Sequence, residues 1–193
     1  MRTRVYDVHS KAYGNENRIV THYLGSDRNL PIWATFELLS LGEFGNVVSC
    51  LNYLTRRKIS AKLGVKASDD SNAMLVQQMI YTIKDLRNAI AHNDVAFDTR
   101  FRSNSIKKQL ISALTNATGI SNITFNTIVD YLILIVYLLK LIGISKTEMK
   151  RLINSFESIT EKLRGEIPAS VFDQIMYTDN KVKAAMLKKF VAL

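Results

Sequence analysis

The sequence predicts an all-α fold, and three observations carry that prediction. Two prolines and eight glycines in 193 residues are too few for a loop-rich or all-β chain. Sustained period-two alternation is scarce, whereas apolar residues recur at helical spacing. Helix-starting and helix-stopping residues punctuate the chain at intervals that suit helices. At 47% hydrophobic and 22% charged, the chain can bury a sizeable core without metals or disulfides.

The elements follow in order. Residues 1–29 read as an N-terminal arm, frayed or made of short helices, and residues 30–193 as one helical domain. Pro31 opens an apolar helix over Ile32 to Leu41, because its missing N–H has no partner to lose in a first turn. Gly42 is expected to end that helix, and another to run from Glu43 to Leu54. A short helix carrying Arg56, Arg57, Lys58 and Lys62 should stop near Gly64. Asp69, Asp70 and Ser71 are candidate N-caps for a helix reaching His92. A polar connection, Asn93 to Asn104, leads to a helix from Ser105 to Ala117 and a turn at Gly119. The most apolar stretch should be a central buried helix, Thr124 to Leu141, closed by Gly143. Ser145 and Glu148 form a capping box for a helix to Leu163. Pro168 breaks the pattern, and two short helices finish the chain, the last from about Asp179.

Charge narrows the function. Net charge is +9, from 26 Lys and Arg against 17 Asp and Glu. Such a surplus fits a polyanionic partner, most simply nucleic acid. Cys50 is the single cysteine, so it forms no intrachain disulfide, and it reads as a small buried residue in a reducing compartment, hence a cytoplasmic location. It has no second Cys and no close His for a metal site. The N-terminus lacks the apolar segment of a secretory signal. The uninterrupted apolar run Tyr131 to Leu139 is too short to span a bilayer.

The candidate site lies on the helix before His92. On a wheel of about 100° per residue, Leu75, Met79, Ile83, Leu86 and Ile90 fall within an arc of about 80°, expected to face the core. Relative to Leu86, Arg87 lies near about 100°, Asn88 near about 200° and His92 near about 240°. All three therefore point away from the core. Ala73, Ile80 and Ala91 share that outer side, which suits either a second packing surface, such as a dimer interface, or a three-sided buried helix in a monomer. Attack by a ribose 2′-OH on its own phosphodiester needs a base, an acid and charge stabilisation. His92 carries an imidazole, the side chain whose intrinsic chemistry suits a base or an acid near neutrality. Arg87 can present paired donors to phosphate oxygens and stabilise the added negative charge. Asn88 can orient the phosphate or the imidazole. No metal or other cofactor is required. By spacing alone these residues are equally a surface ion-pair arginine and a helix-terminal histidine.

Two segments carry a family resemblance. Leu30-Pro31-Ile32-Trp33, with Glu37, Ser40 and Gly42, is followed downstream by Leu86-Arg87-Asn88-Ala89-Ile90-Ala91-His92. Their patterns, LP-x-W…E-x-x-S-x-G and L-R-N-x-x-A-H, resemble the Abi family of bacterial abortive infection proteins, of the AbiD/AbiF type. The resemblance covers Leu30 to Asp94. That family resembles a branch of the HEPN superfamily, marked by Arg, four to six residues, then His, which Arg87, Asn88 and His92 match. The resemblance implies an HEPN-like helical bundle, here with additional C-terminal helices, forming a homodimer with a composite site. It also implies metal-independent endoribonuclease activity on single-stranded RNA, leaving a 2′,3′-cyclic phosphate. The setting would be phage defence, as a toxin restrained by an antitoxin RNA or protein. Two features depart from the pattern. The chain has fewer residues before Leu30 than longer members, so it is a short member or a shortened one. His92-Asn93-Asp94 also lacks the Tyr of toxins silenced by AMP transfer.

Further residues take supporting roles. Trp33 reads as a core anchor. Glu37, a carboxylate on an otherwise apolar helix, pairs with Arg87, orients His92 or faces solvent. Arg100 and Arg102 are the first choice for RNA backbone contacts, then Lys107, Lys108, Arg56, Arg57 and Lys58. Tyr81 is placed to stack on an unpaired base or simply to pack. The alternative to a nuclease is a non-catalytic RNA-binding or antitoxin-docking module on the same basic surface.

Overall fold

The computed structural model describes residues 2–97, 99, 101 and 105–193, the side chains of 2–4 excepted. Among the described residues there are eleven helices and no strand, as the sequence predicts. They fall into two compact units, Met1–Asn52 and Tyr53–Leu193.

The first unit holds α1 (Arg2–Gly14), α2 (Arg18–Leu24), α3 (Ile32–Leu38) and α4 (Leu41–Cys50). Asn17 caps α2 by accepting from the N–H groups of Ile19 and Val20. His9 Nε2 meets Thr35 Oγ1 at 3.0 Å and ties α1 to α3. Three expectations fail here. Gly42 does not end a helix. The break comes at Leu39, because Ser40 and Glu43 form a reciprocal capping box that starts α4 with Gly42 inside it. Trp33 is not a core anchor. It is 48% exposed and meets Tyr23 edge-on at 6.3 Å. The seven-residue α3 fully buries only Ala34, so Ile32, Trp33 and Phe36 stay at the surface. Cys50, expected to be buried, is exposed.

The second unit holds α5 (Tyr53–Lys62), α6 (Leu75–Ala91), α7 (Lys108–Thr118), α8 (Ile128–Leu141), α9 (Lys146–Glu166), α10 (Ala169–Met176) and α11 (Asn180–Ala192). Its axis is α8, as expected of the most apolar stretch. Val129 to Leu134, Val136 and Tyr137 are buried, with α6, α7, α9 and α11 around them. Asp130, also buried, accepts from the N–H groups of Thr124 and Phe125 through Oδ2 and from Lys183 Nζ at 2.9 Å through Oδ1. Lys183 also donates to the Asn122 carbonyl at 2.8 Å. One buried ion pair thus joins the start of α8 to α11 and to the loop before α8. Gly64, Gly119 and Gly143 all take positive φ, closing α5, α7 and α8 where the sequence predicts.

Asp70 prepares the start of α6 from outside the helix. Fully buried, it accepts from the N–H groups of Met74 and Leu75, both at 2.9 Å, and from the Ser60 hydroxyl at 2.6 Å. The expected acidic cap therefore acts several residues before the first helical turn.

Candidate functional site

The site is built on α6, whose buried face differs from the expected stripe. Leu75, Met79, Thr82, Leu86 and Ala89 are buried, and Ile83 packs partly against the core. Ile90, expected inside, is 65% exposed. The true stripe is rotated toward Thr82 and Ala89. Thr82 can be buried because its hydroxyl donates to the Gln78 carbonyl at 2.8 Å, one turn earlier. That rotation leaves Ile90 beside Arg87 on an open last turn. Ala73 is another correction. It lies before the helix, buried in the loop with φ 55°, and does not belong to the outer face. Ile80 is half-buried and Ala91 exposed on that side.

The helix ends in a Schellman motif. The Asp94 N–H donates to the Ala89 carbonyl at 2.8 Å and the Asn93 N–H to the Ile90 carbonyl at 3.2 Å. Asn93 takes the left-handed conformation this requires, with φ 57°. His92 is therefore the capping residue and is exposed. Arg87 is exposed, and its Nη1 donates to Asn88 Oδ1 at 3.2 Å. Asp85, an alternative partner for Arg87, bonds instead to Lys84 at 2.9 Å. The last two turns of α6 thus display a guanidinium, a carboxamide and an imidazole to solvent on a rigid support.

The other expected site residues divide. Arg56 and Arg57 are half-buried and support the loop before α6. Arg56 Nε donates to the Ala73 carbonyl, and Arg57 Nη1 to those of Ala67 and Asp70. Lys58, Lys107 and Lys108 are exposed. Lys107 and Lys108 line a groove that also takes in Tyr81. Glu37 is exposed on α3 of the first unit, whereas Arg87 and His92 belong to the second. Arg100 and Arg102 lie outside the described residues. Among the described residues, no group of three or more His, Cys, Asp or Glu could hold a metal ion. Among them, too, no helix is long and apolar enough to cross a membrane.

A chain of amides formed by Asn72, Gln78 of α6 and Gln109 of α7 is absent from the expected site. One signal was present in the sequence. Gln78, Tyr81, Asp85, Asn88 and His92 recur at alternating spacings of three and four, a polar stripe along one helix.

These features define an all-helical protein that carries its polar candidate site on an exposed helix end. The family model described as Abi-like protein matches residues 3–98, and the chain belongs to that family. The matched stretch contains both Leu30 to Gly42 and Leu86 to His92, and it extends the likeness back through α1 and α2. No curated protein and no solved structure matches the chain.

Proposed function

We propose that the chain is a metal-independent endoribonuclease of the HEPN type, cutting single-stranded RNA in phage defence by abortive infection. The observation that carries this reading is the open end of α6, where Arg87, Asn88 and His92 stand together within the family segment. One imidazole takes the proton of a 2′-OH as its oxygen attacks the adjacent phosphorus. The P–O5′ bond breaks as an acid protonates the departing oxygen. The products are a 2′,3′-cyclic phosphate and a 5′-OH. Arg87 neutralises the extra charge on the phosphoryl oxygens in between, and Asn88 holds the guanidinium in place.

Each chain supplies one such histidine, and the reaction uses a base and an acid. A second copy related by a two-fold axis provides the other. Ile90, Ala91 and Val95 are exposed apolar residues around the motif, and a homodimer would cover them. As a toxin, the enzyme would be restrained by an antitoxin RNA or protein over the same surface. Purified protein should cut unstructured RNA in excess EDTA, and His92→Ala and Arg87→Ala should each abolish cutting while leaving the thermal melt unchanged. Cleavage that requires added divalent metal, or that survives His92→Ala, would refute the mechanism.

A further inference from the structure

The polar stripe on α6 continues well beyond Asn88. Gln78, Tyr81, Asp85, Asn88 and His92 keep within an arc of about 80°. The N-terminal part of this stripe borders a groove of about 760 Å³, whose far wall is the 105–109 segment that leads into α7. Among the described residues that line it, the cations are Lys84, Lys107 and Lys108, and the acid is Asp85, paired with Lys84. Lys107 and Lys108 stand at the N-terminus of α7, where the helix dipole adds positive potential to theirs. A phosphate would relieve that crowding of like charge.

The floor of the groove has a definite polarity. The Met74 N–H donates to Asn72 Oδ1 at 3.1 Å, which fixes that oxygen as an acceptor. Gln109 Nε2 donates to the same oxygen at 3.0 Å and to the Asp69 carbonyl at 3.3 Å. Gln109 must therefore turn its Oε1 toward Gln78, whose Nε2 donates to it at 2.7 Å. Two backbone groups thus set the direction of the whole relay. It leaves Gln78 Oε1 as an acceptor, buried and without a hydrogen-bond partner among the described residues. Gln77 Oε1, from the neighbouring groove-lining residue, is in the same condition. An unpaired buried acceptor carries a desolvation penalty that an incoming donor removes.

We propose that this groove is a nucleobase pocket for single-stranded RNA. An unpaired base stacks against Tyr81 and gives an exocyclic amino hydrogen to Gln78 Oε1, while its flanking phosphates lie by Lys107 and Lys108. The inference rests on the chain handling RNA, but not on its cutting it. Tyr81 precedes His92 by eleven residues, a rise of about 16 Å along the helix, so the base held here lies a few nucleotides from the cut. The pocket selects bases bearing an amino group, and cytosine over uracil, which carries a carbonyl at the same ring position.

The test is direct binding of the full chain to 2′-O-methyl oligonucleotides of cytidine, of uridine and of abasic units, all of one length. These lack the attacking hydroxyl and stay intact whether or not the protein is a nuclease. Oligocytidine should bind about tenfold more tightly than the abasic strand, which is what one base–aromatic stack can contribute, and more tightly than oligouridine. Tyr81→Leu should remove the advantage over the abasic strand, Tyr81→Phe should keep it, and Gln78→Met should erase the difference between cytidine and uridine. Equal binding of all three strands by the unaltered protein would overturn the proposal. So would a cytidine preference that persists in both Tyr81→Leu and Gln78→Met. Base-selective binding without cleavage would sink the nuclease reading and leave the pocket standing. Cleavage with base-blind binding would do the reverse.

Discussion

Removing the buried amine of Lys183 should destabilise the second unit severely. Lys183 is 3% exposed and Asp130 fully buried, and they pair at 2.9 Å, with Asp179 a second, part-exposed partner of Lys183 at 3.2 Å. In Lys183→Met the carboxylate keeps the N–H groups of Thr124 and Phe125 but loses its counter-charge, and the Asn122 carbonyl loses its donor. Breaking one side of a buried ion pair costs about 3–5 kcal/mol, because the other charge stays buried without compensation. A domain of this size has about 5–15 kcal/mol in all, and the expected fall in Tm is roughly 10 °C. The assay is urea unfolding followed by circular dichroism, with a double-mutant cycle against Asp130→Leu. Lys183→Met paired with Asp130→Leu should recover part of the loss, since the only carboxylate then left without Lys183 is the part-exposed Asp179. A loss under about 1 kcal/mol in Lys183→Met would contradict the view that this pair locks α8 to α11.

Other variants probe the support and the surface of the site. Asp70→Ala removes the acceptor for Met74 N, Leu75 N and the Ser60 hydroxyl, and should cost about 2–3 kcal/mol in the same unfolding assay. Asn93→Gly eases the left-handed position at the end of α6 and should stabilise by up to about 1 kcal/mol, whereas Asn93→Val should destabilise by a similar amount. Burial, and then the charges of Asp69 and Asp70, raise the Tyr137 phenol above its ordinary range. The folded chain therefore keeps a proton that the unfolded chain releases, so this contribution is intact below about pH 10 and is lost as pH rises further. Tyr137→Phe should flatten that alkaline fall in urea midpoint. Ile90→Asp should shift sedimentation toward the monomer and lower cleavage. Unchanged self-association would remove Ile90 from the proposed dimer surface.

Much of the architecture was legible because its signals are local and strong. The apolar stretch of α8, the positive-φ glycines at 64, 119 and 143, and the Ser145 cap each act within a turn of where they sit. The failures have physical causes too. Ser40 and Glu43 form a capping box inside what reads as one apolar run, and a cap outweighs a short hydrophobic stretch. Thr82 enters the core by bonding to its own helix, which turns α6 and brings Ile90 out. Trp33 is large and apolar, but a seven-residue helix offers little cover. The residues of the candidate site were readable from the two motifs, whereas the amide relay was not. Gln109 is 31 residues from Gln78 and 37 from Asn72, and only folding brings them together and gives their hydrogen bonds a direction.

The central claim is that His92 and Arg87 break RNA through its own 2′-hydroxyl. Mass spectrometry of the 3′ ends released from a defined single-stranded RNA, incubated with the purified chain in EDTA, tests it most directly. The expected products are 2′,3′-cyclic phosphates opposite 5′-hydroxyls, and none with His92→Ala. Fragments ending in a free 3′-hydroxyl would contradict it, because that linkage breaks on the other side of the phosphate.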